Sequence, residues 1–182
     1  SVLPHAGGNN TTSQSVKINS KIILPSSDNK ADQAQSFINT LGNNGVIERT
    51  KNQMSALNAV YDLALEMLND ALSGAPASTA GRLQFTADSN NDIDVEITLF
   101  YPDDTTEEER EQDAQGAATR INQRRGDGDY RNALQDAATA AGITGDLDLQ
   151  SFEVQVDEDG AFSLRGGLMA VSLAVGAFLL LV

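Results

Sequence analysis

"RLQFTADSNNDIDVEITLFYP", residues 82–102, reads as two strands and the turn that joins them. Leu83 and Phe85 alternate with polar neighbours on the first arm, and Ile93, Val95, Ile97 and Leu99 alternate on the second. A period of two puts each set on one side of a pleated strand. Between the arms, Asp88-Ser89-Asn90-Asn91 supplies turn-forming residues, and Pro102 closes the second arm. Such a hairpin has one apolar face that must be covered, so the flanking chain is expected to supply further strands and helices.

Toward the C-terminus, Asp104-Thr105-Thr106-Glu107-Glu108-Glu109 opens a helix. Thr105 and Glu108 match the capping box, and the carboxylates suit the positive end of the helix dipole. Arg120, Arg124 and Arg125 fall at the other end, and Gly126 is the stop. A second helix is predicted over about residues 130–141, with Leu134, Ala137, Ala138 and Ala141 on one side and Gly142 after them. "LDLQSFEVQV" then alternates Leu147, Leu149, Phe152, Val154 and Val156, with one slip near Ser151, and reads as the last strand.

Toward the N-terminus, residues 47–72 carry the strongest helical signal. Leu57, Tyr61, Ala64, Leu65, Leu68 and Leu72 form one stripe, widened by Val60, Leu63 and Met67, and Ser73-Gly74-Ala75-Pro76 ends it. Before it, Ala31, Ala34, Phe37, Ile38 and Leu41 predict a short amphipathic helix that stops at Gly42. "SVKINSKIIL" alternates Val16, Ile18 and Ile22 with Lys17, Asn19 and Lys21, the pattern of a first strand. Residues 1–14 show no apolar period and read as a leader; in it Asn9 and Asn10 begin two overlapping glycosylation acceptor patterns.

The expected fold is α+β: a four-stranded antiparallel sheet in the split βαβ, ferredoxin-like arrangement, with helices on one face. The expected organisation is a leader (1–14), an acidic domain (15–157), a linker (158–166) and a hydrophobic C-terminal helix (167–182). The order β-α-α-β-β-α-α-β over about residues 16–156, closed by "ITGDLDLQSFEVQV" and followed by an apolar segment, resembles the SEA domains of membrane-attached extracellular proteins. SEA domains that cleave themselves carry a glycine-serine junction in the hairpin. Here Asp88-Ser89-Asn90-Asn91 stands there, so the resemblance does not imply self-cleavage.

Composition narrows the function. A net charge of −14 with 26 acids against 12 bases repels phosphate backbones and favours basic protein surfaces, so nucleic acid is not an expected partner. The chain has no cysteine, which removes disulfides and thiolate chemistry. Ser1 in place of an initiator Met points to processing by a signal or transit peptidase. The one histidine is His5, in the leader, and neither a phosphate-binding loop nor a nucleophile elbow is present, so no catalytic or cofactor residues are assigned. Asp88, Asn90 and Asp92 match the opening ligand positions of a calcium loop, but Ile93 and Leu99 stand where glycine and glutamate are needed, and no metal site is assigned. Arg125-Gly126-Asp127 matches the integrin-read tripeptide, yet Gly126 is already explained as a helix stop.

The last stretch, "GGLMAVSLAVGAFLLLV", has no charge from Gly167 to Val182 and would reach ~24 Å as a helix, slightly short of a ~30 Å hydrocarbon core. Gly167, Ala170, Ala174, Gly176, Ala177 and Phe178 are the residues expected to pack against the membrane or neighbouring helices. The expected role is therefore a non-enzymatic single-pass membrane protein, an accessory subunit of a membrane-embedded complex, photosynthetic or respiratory for instance. Its acidic domain would be extracellular or lumenal, and its partners the membrane, other transmembrane subunits and basic protein surfaces. The alternative is a free-standing cell-surface SEA-like protein, anchored by its tail or by GPI, with an adhesive or structural role.

Overall fold

The structure, a computed structural model, describes residues 15–41, 45–54 and 62–155. In chain order the elements are β1 (Ser15–Ile23), α1 (Lys30–Thr40), β2 (Val46–Thr50), α2 (Lys51–Met54), α3 (Leu63–Leu72), β3 (Ala80–Ala87), β4 (Ile93–Phe100), α4 (Glu107–Arg125), α5 (Gly128–Ala140), β5 (Asp148–Leu149) and β6 (Glu153–Val154).

The hairpin is β3 and β4, registered from Ala80 opposite Phe100 to Ala87 opposite Ile93. On its far side β4 pairs antiparallel with β1, Ile18 facing Ile97. The register lines up Ile18, Ile97, Leu83 and Ile47 across four strands on one face of the sheet, all of them buried. Helices α1, α3 and α4 cover that face, bringing Phe37, Met67, Leu68 and Ile121 into the same core. On the outward face the same registers set Lys17, Thr98, Arg82 and Glu48 in one row.

A four-stranded sheet is not what forms. The sheet has six strands in the order β2-β3-β4-β1-β5, with β6 also on β1, and it curls into a half-barrel. The extra edge strand is β2, which comes from the start of the predicted 47–72 helix. Val46, Ile47 and Thr50 are β-branched, and Ile47 is buried opposite Leu83. Helix is kept at α2 and at α3, where Asp62 caps the N-terminus by accepting from Ala64 and Leu65 N–H. Leu57, Val60 and Tyr61 of the predicted stripe lie outside the described residues.

The slip near Ser151 is a β-bulge. Ile22 pairs with Leu149 but Ile18 pairs with Val154, so the C-terminal strand carries one residue more than its partner. Asn122 of α4 repairs the gap: its Oδ1 accepts from Phe152 N–H at 2.6 Å and its Nδ2 donates to the Phe152 carbonyl at 2.9 Å. The capping box of α4 is also one residue later than the sequence suggests. Thr105 N–H is turned back onto the Pro102 carbonyl, and Thr106 with Glu109 makes the reciprocal pair.

Among the described residues no helix is long and apolar enough to cross a membrane. Helix α3, built largely of Leu, Ala and Met, has 10 residues, ~15 Å of helix, and spends its apolar side on the sheet. The transmembrane helix and the membrane-protein assignment are corrected accordingly. Gly167, Ala170, Ala174, Gly176, Ala177 and Phe178 lie outside the described residues, as do Asn9, Asn10 and the linker.

Candidate functional site

Two element ends meet beside α5. Asp127 caps its start by accepting from Asp129 N–H at 3.2 Å. Its end is a Schellman turn: Gly142, at φ +78°, donates to the Thr139 carbonyl, and Ile143 N–H donates to the Ala138 carbonyl at 2.8 Å. Gln33 of α1 donates to the Gly142 carbonyl at 3.0 Å, which fixes α1 against that end. Tyr130, fully buried, anchors the first turn of α5 in the core.

Between the C-terminus of α1, the N-terminus of α3 and the side of α5 is a hollow of about 540 Å³. Its polar wall is Asp62, Asp129, Asn132 and Asp136, all exposed, and its floor includes the buried Leu41 and Leu63. No lysine or arginine is among its described lining residues. Asp129, Asn132 and Asp136 recur at three and four residue spacing, so α5 presents them as one stripe. That spacing was legible in the sequence, but its partner Asp62 is far away along the chain.

Elsewhere several charged groups are engaged with one another. Asp88 Oδ1 accepts from the N–H groups of Asn90 and Asp92, closing the hairpin loop. Its other oxygen holds Lys21, and this contact, ahead of the burial that opposes it, keeps the Asp88 carboxyl below its ordinary pKa. Asp92 Oδ1 binds Lys30 at 2.9 Å and the Leu24 N–H at 3.0 Å. Two of the candidate calcium ligands thus already carry ammonium partners. Among the described residues no group of three or more acids could hold a metal ion. The integrin-type tripeptide is similarly spent: Arg125 donates to the Leu149 carbonyl at 3.0 Å, and Asp127 is the α5 cap.

A polar cluster joins α3, α4 and α5. Arg124 reaches Glu66 at 3.1 Å and Asp70 at 3.2 Å, and lies 5.0 Å from the centre of the Tyr130 ring. Tyr130 donates its hydroxyl to the same Asp70. Burial works against the Arg124 charge, yet Glu66 and Asp70 outweigh it and raise its pKa. Tyr101 donates to Asp113 at 2.7 Å, and burial followed by that carboxylate pushes its phenol well above the ordinary range. Both phenols are therefore proton donors to carboxylates of neighbouring elements.

No family model matches the chain, and no curated protein or solved structure is found to be similar to it.

Proposed function

We propose that this chain is a non-enzymatic protein-interaction domain, a structural or accessory component of an assembly, which receives a basic segment of a partner protein in the acidic hollow beside α5. The observation that carries this reading is the one-sided chemistry of the hollow: three exposed aspartates, one asparagine and no base, over an apolar floor. A lysine or arginine side chain matches both parts, since its stem covers apolar surface while its head meets carboxylate. The chain's net charge of −14 adds a long-range field that draws such a partner in. Arg124, Tyr130 and Tyr101 support the non-enzymatic side of the reading, because the first two tie helices together and the third ties the end of β4 to α4.

A lysine- and arginine-rich peptide titrated into the protein tests this. Asp129→Asn with Asp136→Asn removes two exposed charges worth up to about 1 kcal/mol each, so binding at low salt should weaken roughly tenfold. Equal affinity of the double variant and the parent would remove the hollow as the docking site.

A further inference from the structure

We propose that Lys17, Thr98 and Arg82 form an oxyanion-binding notch on the outward face of the sheet, opposite the helices and independent of the acidic hollow. The register sets the three in one row on adjacent strands β1, β4 and β3. At a strand spacing of ~4.8 Å, the two cationic residues stand ~10 Å apart at the backbone with a short hydroxyl side chain between them. The row sets the short Thr98 side chain between one that bears an ammonium and one that bears a guanidinium, and these are the floor and walls of the proposed notch.

Two unsatisfied groups mark the slot as prepared for a ligand. Thr98 is 2% exposed, and its Oγ1 has no hydrogen-bond partner; the Nε of Arg82, its cross-strand neighbour, is also buried without one. Buried polar groups are ordinarily paired, and leaving one unpaired costs ~1–3 kcal/mol. Here two groups that can donate, on residues paired across β3 and β4, are left so. The walls are loosely held: Lys17 lies 3.8 Å from Glu96 and Arg82 lies 4.0 Å from Glu48, against the ~2.8 Å of a charge-assisted hydrogen bond. Arg82 rests on Phe100, 5.4 Å from the ring centre, which steadies its plane without using its N–H groups. An oxyanion that parts the Lys17 and Arg82 side chains would take the two orphaned donors and the Lys17 ammonium together. A phosphate or sulfate group and a carboxylate share that chemistry.

Inorganic phosphate is the first probe and acetate the second, each compared with sodium chloride at equal ionic strength. The readouts are the thermal midpoint and backbone amide shifts. The parent should show saturable shifts at residues 17, 82 and 98, and a midpoint that rises with the anion. Thr98→Val keeps the side-chain shape and removes the hydroxyl; it should cut the anion-dependent shifts severalfold, as should Arg82→Gln. Arg131→Gln, an exposed arginine on α5, should leave them unchanged. A response to phosphate alone assigns a tetrahedral anion, and a response to acetate assigns a carboxylate. Absence of saturable shifts with either anion, or equal shifts in Thr98→Val and the parent, would overturn the notch. Should Arg82→Gln not fold, Thr98→Val decides the matter alone.

Discussion

Asp88 shows how much one side chain can settle. Its carboxylate closes its own hairpin loop through two N–H groups and also holds Lys21 of the neighbouring strand, which in turn lies 3.2 Å from Asp94. Since the folded-state pKa of Asp88 is lowered from 3.8, its contribution is fully present above that value and is lost as pH falls through the depressed folded value. Lys21, raised from 10.5, contributes below that value and loses its contribution as pH climbs through the raised one. The pair is therefore intact across the neutral range, and its acid loss belongs below about pH 4. Asp88→Asn should lower the urea midpoint at pH 7 and flatten its fall below about pH 4. An unchanged acid slope would show that the fall comes from other carboxylates. At this same scale Thr105 and Thr106 both satisfy the capping pattern, three residues before Glu108 and Glu109. Only the turn at Pro102, which consumes the Thr105 N–H, selects Thr106.

The elements that were legible are those whose signals lie within a few residues. Alternation marks β3 and β4, and caps bracket α4 and α5. Strand β2 was hidden because Ile47 also fits a helical stripe, and because no glycine or proline separates Val46 from α3. What makes it a strand is β3, whose Leu83 faces Ile47 from across the sheet. The last strand was legible down to its defect, although not to its remedy. Asn122 replaces the missing ladder bonds of Phe152, so Asn122→Ala should destabilise the domain by about 2 kcal/mol, since it leaves both backbone groups unpaired. Urea unfolding reads the loss, and hydrogen exchange should locate it through faster exchange of the Phe152 amide. A loss below about 0.5 kcal/mol would mean that water takes the place of the amide.

In the molecule as a whole, one layer of helices covers one face of a curled sheet, and Arg124 is the charge that joins three of those helices. It sits at the end of α4, meets Glu66 and Asp70 of α3, and stacks on Tyr130 of α5. With the side chain of Asp70 only 14% exposed, removing the guanidinium strands a largely buried carboxylate. Arg124→Ala should cost about 2 kcal/mol, between the values for exposed and buried pairs, with the loss read as a lower urea midpoint. The sequence by itself determined the hairpin, the capped helices, the bulged last strand and the acidic balance, since periodicity, caps and charge act within one or two turns of chain. Only the tertiary structure decided that β2 joins the sheet, that Asp62 meets Asp129 and Asp136, and that Thr98 lies unpartnered between Lys17 and Arg82. Each of these juxtapositions joins residues far apart in the chain, and no local spacing encodes which distant partner will be there once the loops between them have closed.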